Sequence, residues 1–150
     1  MTDHFRDDLK MVARSQIVTT ARSWIGTPYH HAARLKGVGV DCGQILIAVY
    51  AEAGLIQDFH PEYYPRDFMM HRNDEKYLGY VRRYCQHEKE HPEPGDIAVW
   101  RIGKVYSHGG IVTDWPHVVH AYLPAGKVVE DDIRDTDLNR RPCRFFSYWG

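Results

Sequence analysis

The chain has 150 residues, a formal net charge of -1 and a hydrophobic fraction of 43%. That length suits one domain over residues 1–150, and the composition excludes a disordered chain. A near-neutral balance with no basic tract excludes nucleic acid as the main partner.

The three cysteines, Cys42, Cys85 and Cys143, are widely spaced and include no C-x-x-C pair. They form neither a disulfide framework nor a zinc ribbon, and they fit a reducing compartment. The start, "MTDHFRDDLK", is charged and lacks an apolar stretch, which predicts synthesis in the cytoplasm without a signal peptide. The longest apolar run, residues 45–51, is too short to span a bilayer.

In chain order, residues 7–24 read as a helix. Leu9, Val12, Ala13, Ile17, Ala21 and Trp24 recur at three- and four-residue steps, leaving Arg14 and Arg22 for solvent. Gly26 and Pro28 in "GTPY" end it. The following "HHAARLKGVGV" is too glycine-rich near its end to promise regular structure. A second helix is predicted over residues 42–53, with Asp41 as N-cap and Gln44 three positions on, a pattern resembling a capping box. Gly54 supplies its stop. The helix is apolar nearly all round and is therefore expected to be buried. "PEYYPRDF" reads as a loop, and Tyr77, Leu78, Val81, Tyr84 and Cys85 lie at the spacing of a third helix.

After the turn "HPEPGD" the period changes to two. "DIAVWRI", "HGGIVTD", "HVVHAYL", "KVVEDDI" and "CRFFSYW" are five strand-like runs. Helices followed by strands imply an α+β fold, with helices packed on one face of an antiparallel meander.

Cys42 occupies the first turn of the predicted central helix. Free N–H groups and the positive end of the helix dipole favour a thiolate there. Gly37, Gly39 and Gly43 keep bulk away from the sulfur. A small buried hydrophobe is the competing reading, and local physics leaves the two open. A nucleophilic cysteine needs a base, and His108, beside two glycines at the head of a strand, fits best. The base needs an orienting partner. His117 and His120 lie three apart on the next strand and point to opposite faces. His120 sits mid-strand among apolar neighbours and is the better choice, while His117 follows a turn proline. Cys42, His108 and His120 are also zinc-type ligands, with His30 and His31 nearby in sequence, but no paired ligand motif supports a metal. Tyr29 stands upstream of Cys42, where its hydroxyl can reach the thiolate or a developing oxyanion, or simply pack at the helix junction.

"GTPYHHAARLKGVGVDCGQ", "PGDIAVWRIGKVYSHGGIV" and "VVHAY" together resemble the NlpC/p60 superfamily of cell-wall cysteine peptidases, over roughly residues 16–149. The long loop before Cys42 is most similar to the branch carried by tailed phages and gene-transfer agents. The resemblance implies a papain-like fold, with N-terminal helices on a sheet of about five antiparallel strands. It implies Cys42 as nucleophile, His108 as base, His120 as third residue and Tyr29 as helper at the oxyanion site, with no cofactor and no metal. It leaves Asp41 as a helix cap. The implied partner is a peptidoglycan stem peptide, cleaved at the D-γ-glutamyl–diaminopimelate bond. Tail-tip proteins would be further partners, and the site of action the periplasm or cell wall. Two alternatives stay open: a tail-tip module that keeps the fold without the chemistry, and a thiol acyltransferase or amidase acting on a non-wall substrate.

Overall fold

A computed structural model describes residues 2–71 and 74–150. Its helices are α1 (Asp3–Arg22), α2 (Gln44–Glu52), α3 (Phe68–His71) and α4 (Lys76–Tyr84). Its strands are β1 (Arg34–Leu35), β2 (Gly39–Val40), β3 (His87–Lys89), β4 (Ile97–Ile102), β5 (Val105–Asp114), β6 (His117–Tyr122), β7 (Lys127–Asp132) and β8 (Cys143–Ser147). The fold is α+β, with helices ahead of the main sheet. Among the described residues, no helix is long and apolar enough to cross a membrane.

The main sheet has six antiparallel strands in the order β3-β8-β4-β5-β6-β7. β4 to β7 form the expected meander. β8 does not extend it; it returns to the far side of β4, pairing Phe146 with Ile97. Alternation in a sequence says which face a side chain takes, not which strand lies beside it. The sixth strand, β3, is only three polar residues long and leaves no such pattern. A second departure concerns the glycine-rich loop. It folds into the hairpin of β1 and β2, and Gly37 at its tip takes φ +79°, a value L side chains resist.

α1 begins with Thr2, whose hydroxyl accepts the Phe5 N–H at 3.2 Å. Its apolar stripe is buried only in part. Ile17, Val18, Ala21 and Trp24 enter the core, whereas Leu9 and Val12 stay exposed because burial starts only at Arg14. Arg14 itself, expected in solvent, is buried. Its guanidinium donates to Asp96 Oδ1 at 2.8 Å and to the Pro94 carbonyl at 3.0 Å. Asp96 is fully buried and also accepts from Lys89 Nζ at 3.2 Å and the Glu93 N–H at 2.8 Å. The pairing is what makes either charge tolerable there.

The sheet buries both faces. Ile97, Val99, Ile111, Val119 and Phe146 pack under α1 and under Ile45, Leu46 and Val49 of α2. On the other face, Ala98, Trp100, Val112 and Val118 meet Ile133 and Leu138 from two 3-10 turns. α2 is buried along Gln44 to Tyr50, as its all-round apolarity predicts. Each such aliphatic side chain contributes about 1.5–3 kcal/mol on burial. The result is a rigid seat that holds the start of α2 against the β5 edge of the sheet.

Candidate active site

The start of α2 is organised by Asp41. Its Oδ1 accepts the N–H groups of Gly43 at 3.1 Å and Gln44 at 2.8 Å, and its carbonyl accepts that of Ile45 at 3.1 Å. Asp41 therefore caps the helix, although the regular span opens at Gln44. The capping box is not closed. Gln44 turns away and donates from Nε2 to the Tyr64 hydroxyl at 3.2 Å. Asp41 Oδ2 accepts the Ala32 N–H at 2.7 Å and the Tyr64 hydroxyl. Ala32 holds φ +61°, a costly value for a side chain with a Cβ, and the buried carboxylate is what its N–H meets. One carboxylate thus ties α2 to the turn before β1 and to the segment between α2 and α3.

Cys42 sits on this cap, half-buried, and its thiol donates to the Ser107 carbonyl at 3.5 Å. The Gly109 N–H and the phenols of Tyr29 and Tyr77 lie near the same sulfur and favour its charged form. Burial opposes them and, with the neighbouring Asp41 carboxylate, pushes the thiol up to about 12. The helix-start position alone predicts a thiolate. Within the fold, desolvation and a like charge outweigh these donors and favour the thiol.

The glycines near Cys42 do other work than clearing space round the sulfur. Gly37 serves the hairpin turn, and a Cβ on Gly39 would stand 2.9 Å from His30 Cβ. Gly43 and Gly109 admit Tyr77, with a Cβ on Gly109 falling 2.5 Å from the Tyr77 hydroxyl. Seated there, that hydroxyl donates to the Cys42 carbonyl at 2.9 Å.

His108 lies between the two β5 residues whose main chain meets the sulfur, Ser107 and Gly109. It is buried, and its Nε2 is 2.8 Å from His120 Nδ1 on β6. His108 makes no hydrogen bond to the sulfur, and its Nδ1 has no partner among the described residues. Gly110 makes the histidine pair fit, since a Cβ there would come 3.0 Å from His120 Cβ. Tyr122 stacks on His120 at 4.6 Å, and Trp100 packs on His108 at 5.7 Å. Burial, and then the neighbouring His120, hold His108 well below the usual range, and burial lowers His120 to about 4. Both rings are neutral at pH 7. His117 lies exposed with Nδ1 3.1 Å from the Asp114 carbonyl, and His31 pairs with the Tyr64 carbonyl at 3.0 Å. Among the described residues, no three His, Cys, Asp or Glu side chains are arranged to hold a metal ion.

Two residues of the site escape a reading of the sequence. Asp131 on β7 lies 2.8 Å from His120 Nε2. It stands in a run of three acids, where no alternation marks one as inward, and only the β6–β7 register brings it beside His120. Tyr77 reads as one apolar position of α4 until that helix is placed over Gly43 and Gly109. A cavity of about 140 Å³ opens beside Cys42, walled by Leu46, Phe59, Tyr64, Tyr77 and Tyr80 among others. A half-buried thiol, a neutral imidazole with a free nitrogen and several donors round one sulfur are the elements of thiol-mediated acyl transfer.

No protein-family model matches the sequence, and neither does any curated protein. Solved structures do match in fold. The chain is similar to the NlpC/p60 domain of the peptidoglycan hydrolase SagA at 17% identity and a TM-score of 0.57, over 87% of this chain and 96% of that one. It is similar to NlpC1 from Trichomonas vaginalis at 12% identity and a TM-score of 0.62, over 89% of this chain and 43% of that one. It is also similar to an N-acetylmuramoyl-L-alanine amidase from Bacteroides uniformis at 12% identity and a TM-score of 0.57, over 90% and 98% of the two chains. The α+β arrangement built here is thus the papain-like fold of NlpC/p60 domains.

Proposed function

We propose that this protein is a cysteine peptidase that hydrolyses amide bonds in peptidoglycan stem peptides. The observation that carries the reading is the placement of Cys42. On a fold shared with peptidoglycan hydrolases, its sulfur rests against the main chain on either side of His108, and His108 is in turn bonded to His120. In the mechanism, His108 Nδ1 takes the thiol proton as Cys42 attacks the carbonyl carbon. The tetrahedral oxyanion is met by Tyr29 and the Cys42 N–H. His108 then gives the proton to the leaving amine. Water, activated by the same imidazole, releases the acyl group and restores the thiol.

The bond we propose is the one between D-γ-glutamate and diaminopimelate. The shared fold of the Bacteroides uniformis amidase supports a second wall bond, between N-acetylmuramic acid and L-alanine. Digestion of purified peptidoglycan by wild type and Cys42→Ser, read by mass spectrometry, separates them. A new diaminopimelate amino terminus is expected with wild type only. A new L-alanine amino terminus would move the reading to the amidase. Intact muropeptides with both proteins would favour a tail-tip module without chemistry. Delivery on a phage-like tail is part of the proposal, supported by the likeness of the loop before Cys42 to that branch. Co-purification with tail particles is the expected result, and recovery only as a free species would count against it.

A further inference from the structure

We propose that Asp131 is a positioning residue that sets the tautomers of both active-site histidines and so puts the lone pair on His108 Nδ1. The inference rests on the proposed function only in calling that lone pair the base.

Its geometry is a chain of two contacts. Asp131 Oδ2 lies 2.8 Å from His120 Nε2, and His120 Nδ1 lies 2.8 Å from His108 Nε2. A neutral imidazole has one N–H and one lone pair, and a carboxylate can only accept. His120 must therefore carry its proton on Nε2 and present a lone pair at Nδ1. His108 must then carry its own proton on Nε2, which leaves Nδ1 free. Without the carboxylate, the His108–His120 contact is satisfied equally well the other way round. His120 Nδ1–H would donate to His108 Nε2, the His108 proton would move to Nδ1, and the base would be blocked. A histidine as third residue does not choose between these arrangements by itself. Asp131 chooses.

The fold builds the contact from the sheet. In the β6–β7 register His120 faces Val129 and Val118 faces Asp131, so Asp131 is the diagonal neighbour of His120. Tyr122 and Trp100 hold the rings in line. Asp131 keeps 31% of its side chain exposed, so its outer oxygen stays hydrated while the inner one meets the ring. The same carboxylate offsets the positive charge that the pair acquires when His108 takes a proton, a task a neutral third residue performs poorly.

The test reads the tautomers directly, by nitrogen-15 NMR of the histidine rings in substrate-free protein. Wild type is expected to show His108 and His120 both protonated at Nε2. In Asp131→Ala the Nδ1-protonated form of His108 should appear, and Asp131→Glu should restore the wild-type pattern. Asp131→Val, which suits a strand and accepts no hydrogen bond, covers the case in which the alanine variant fails to fold. On purified peptidoglycan, kcat for Asp131→Ala should fall by on the order of tenfold or more while KM holds, since Asp131 touches no substrate. Unchanged tautomers in folded Asp131→Ala or Asp131→Val protein would overturn the proposal. Because the spectra need no substrate, a wild-type protein with the expected tautomers that leaves peptidoglycan intact would sink the proposed function and not the tautomer assignment.

Discussion

Cys42 rests as a thiol, and that state is a balance of named groups. Burial and Asp41 push it up to about 12, against the pull of Tyr77, Gly109 and Tyr29. At pH 7 almost no thiolate exists until a base removes the proton. Alkylation of Cys42 in native protein by iodoacetamide should therefore be slow at pH 7 and climb steadily to pH 10, followed by peptide mass spectrometry. A plateau below pH 7, the mark of a preformed thiolate–imidazolium pair, would refute this. Cys42, His108 and His120 were legible in the sequence because each stands at a local landmark, namely a helix start, a glycine-flanked strand head and a mid-strand apolar setting. Asp131 and Tyr77 were not legible, because their meaning comes from register and from helix placement across the sheet. The charge state of Cys42 is hard to read from sequence for a related reason. Local position reports the helix dipole, while burial belongs to the whole fold.

At the scale of elements, the helices were legible where an apolar face met the core and misleading where it did not. α2 is apolar all round and is buried all round. α1 carries one stripe, but the sheet covers only its second half, so Leu9 and Val12 remain exposed. The contact that fixes α1 to the sheet is polar and lies off that stripe. Arg14 reaches Asp96 at the turn into β4, and Asp96 gathers Lys89 and the Glu93 N–H as well. Removing the buried carboxylate leaves the Arg14 guanidinium, in a low-dielectric site, with only the solvent-exposed Glu93 as ion-pair partner. Asp96→Ala should therefore destabilise the fold by about 3–5 kcal/mol. Glu88→Gln loses an ion pair to Arg144 that is more open to solvent, and should cost less than about 1 kcal/mol. Urea unfolding of the two variants checks the contrast, and equal shifts in midpoint would contradict it. Strand order shows the same limit of local patterns. Alternation marks a strand in "CRFFSYW", yet nothing local to residues 143–147 announces a return to β4.

At the scale of the molecule, the histidine pair links chemistry to stability. His108 and His120 sit in the middle of the sheet, buried and neutral, with Trp100 against both rings. Burial holds His120 at about 4, against 6.5 for a free imidazole, and holds His108 well below 6.5. Above pH 6.5 neither state of the chain binds these protons, and stability does not depend on them. Below 6.5 the unfolded chain takes them and the folded chain does not, so stability falls as pH drops toward 4. For His120 alone the loss is no more than about 3 kcal/mol, since each tenfold difference in proton affinity is 1.36 kcal/mol. Burial raises Asp131, and its protonation in the folded state works in the opposite sense and offsets part of this loss. The carboxylates held low by cations, such as Glu52 beside Lys36 and Glu93 beside Lys89, lose their contribution as pH falls through the ordinary carboxylate value of 4.5 and below. Between 6.5 and the ordinary carboxylate range the histidines therefore dominate the dependence, less the Asp131 offset. Urea midpoints measured across that interval should decline for wild type, and the decline should be shallower for His120→Gln, which cannot take a proton. A flat wild-type profile, or identical slopes for the two proteins, would show that the pair is not the neutral, buried unit on which the proposed chemistry depends.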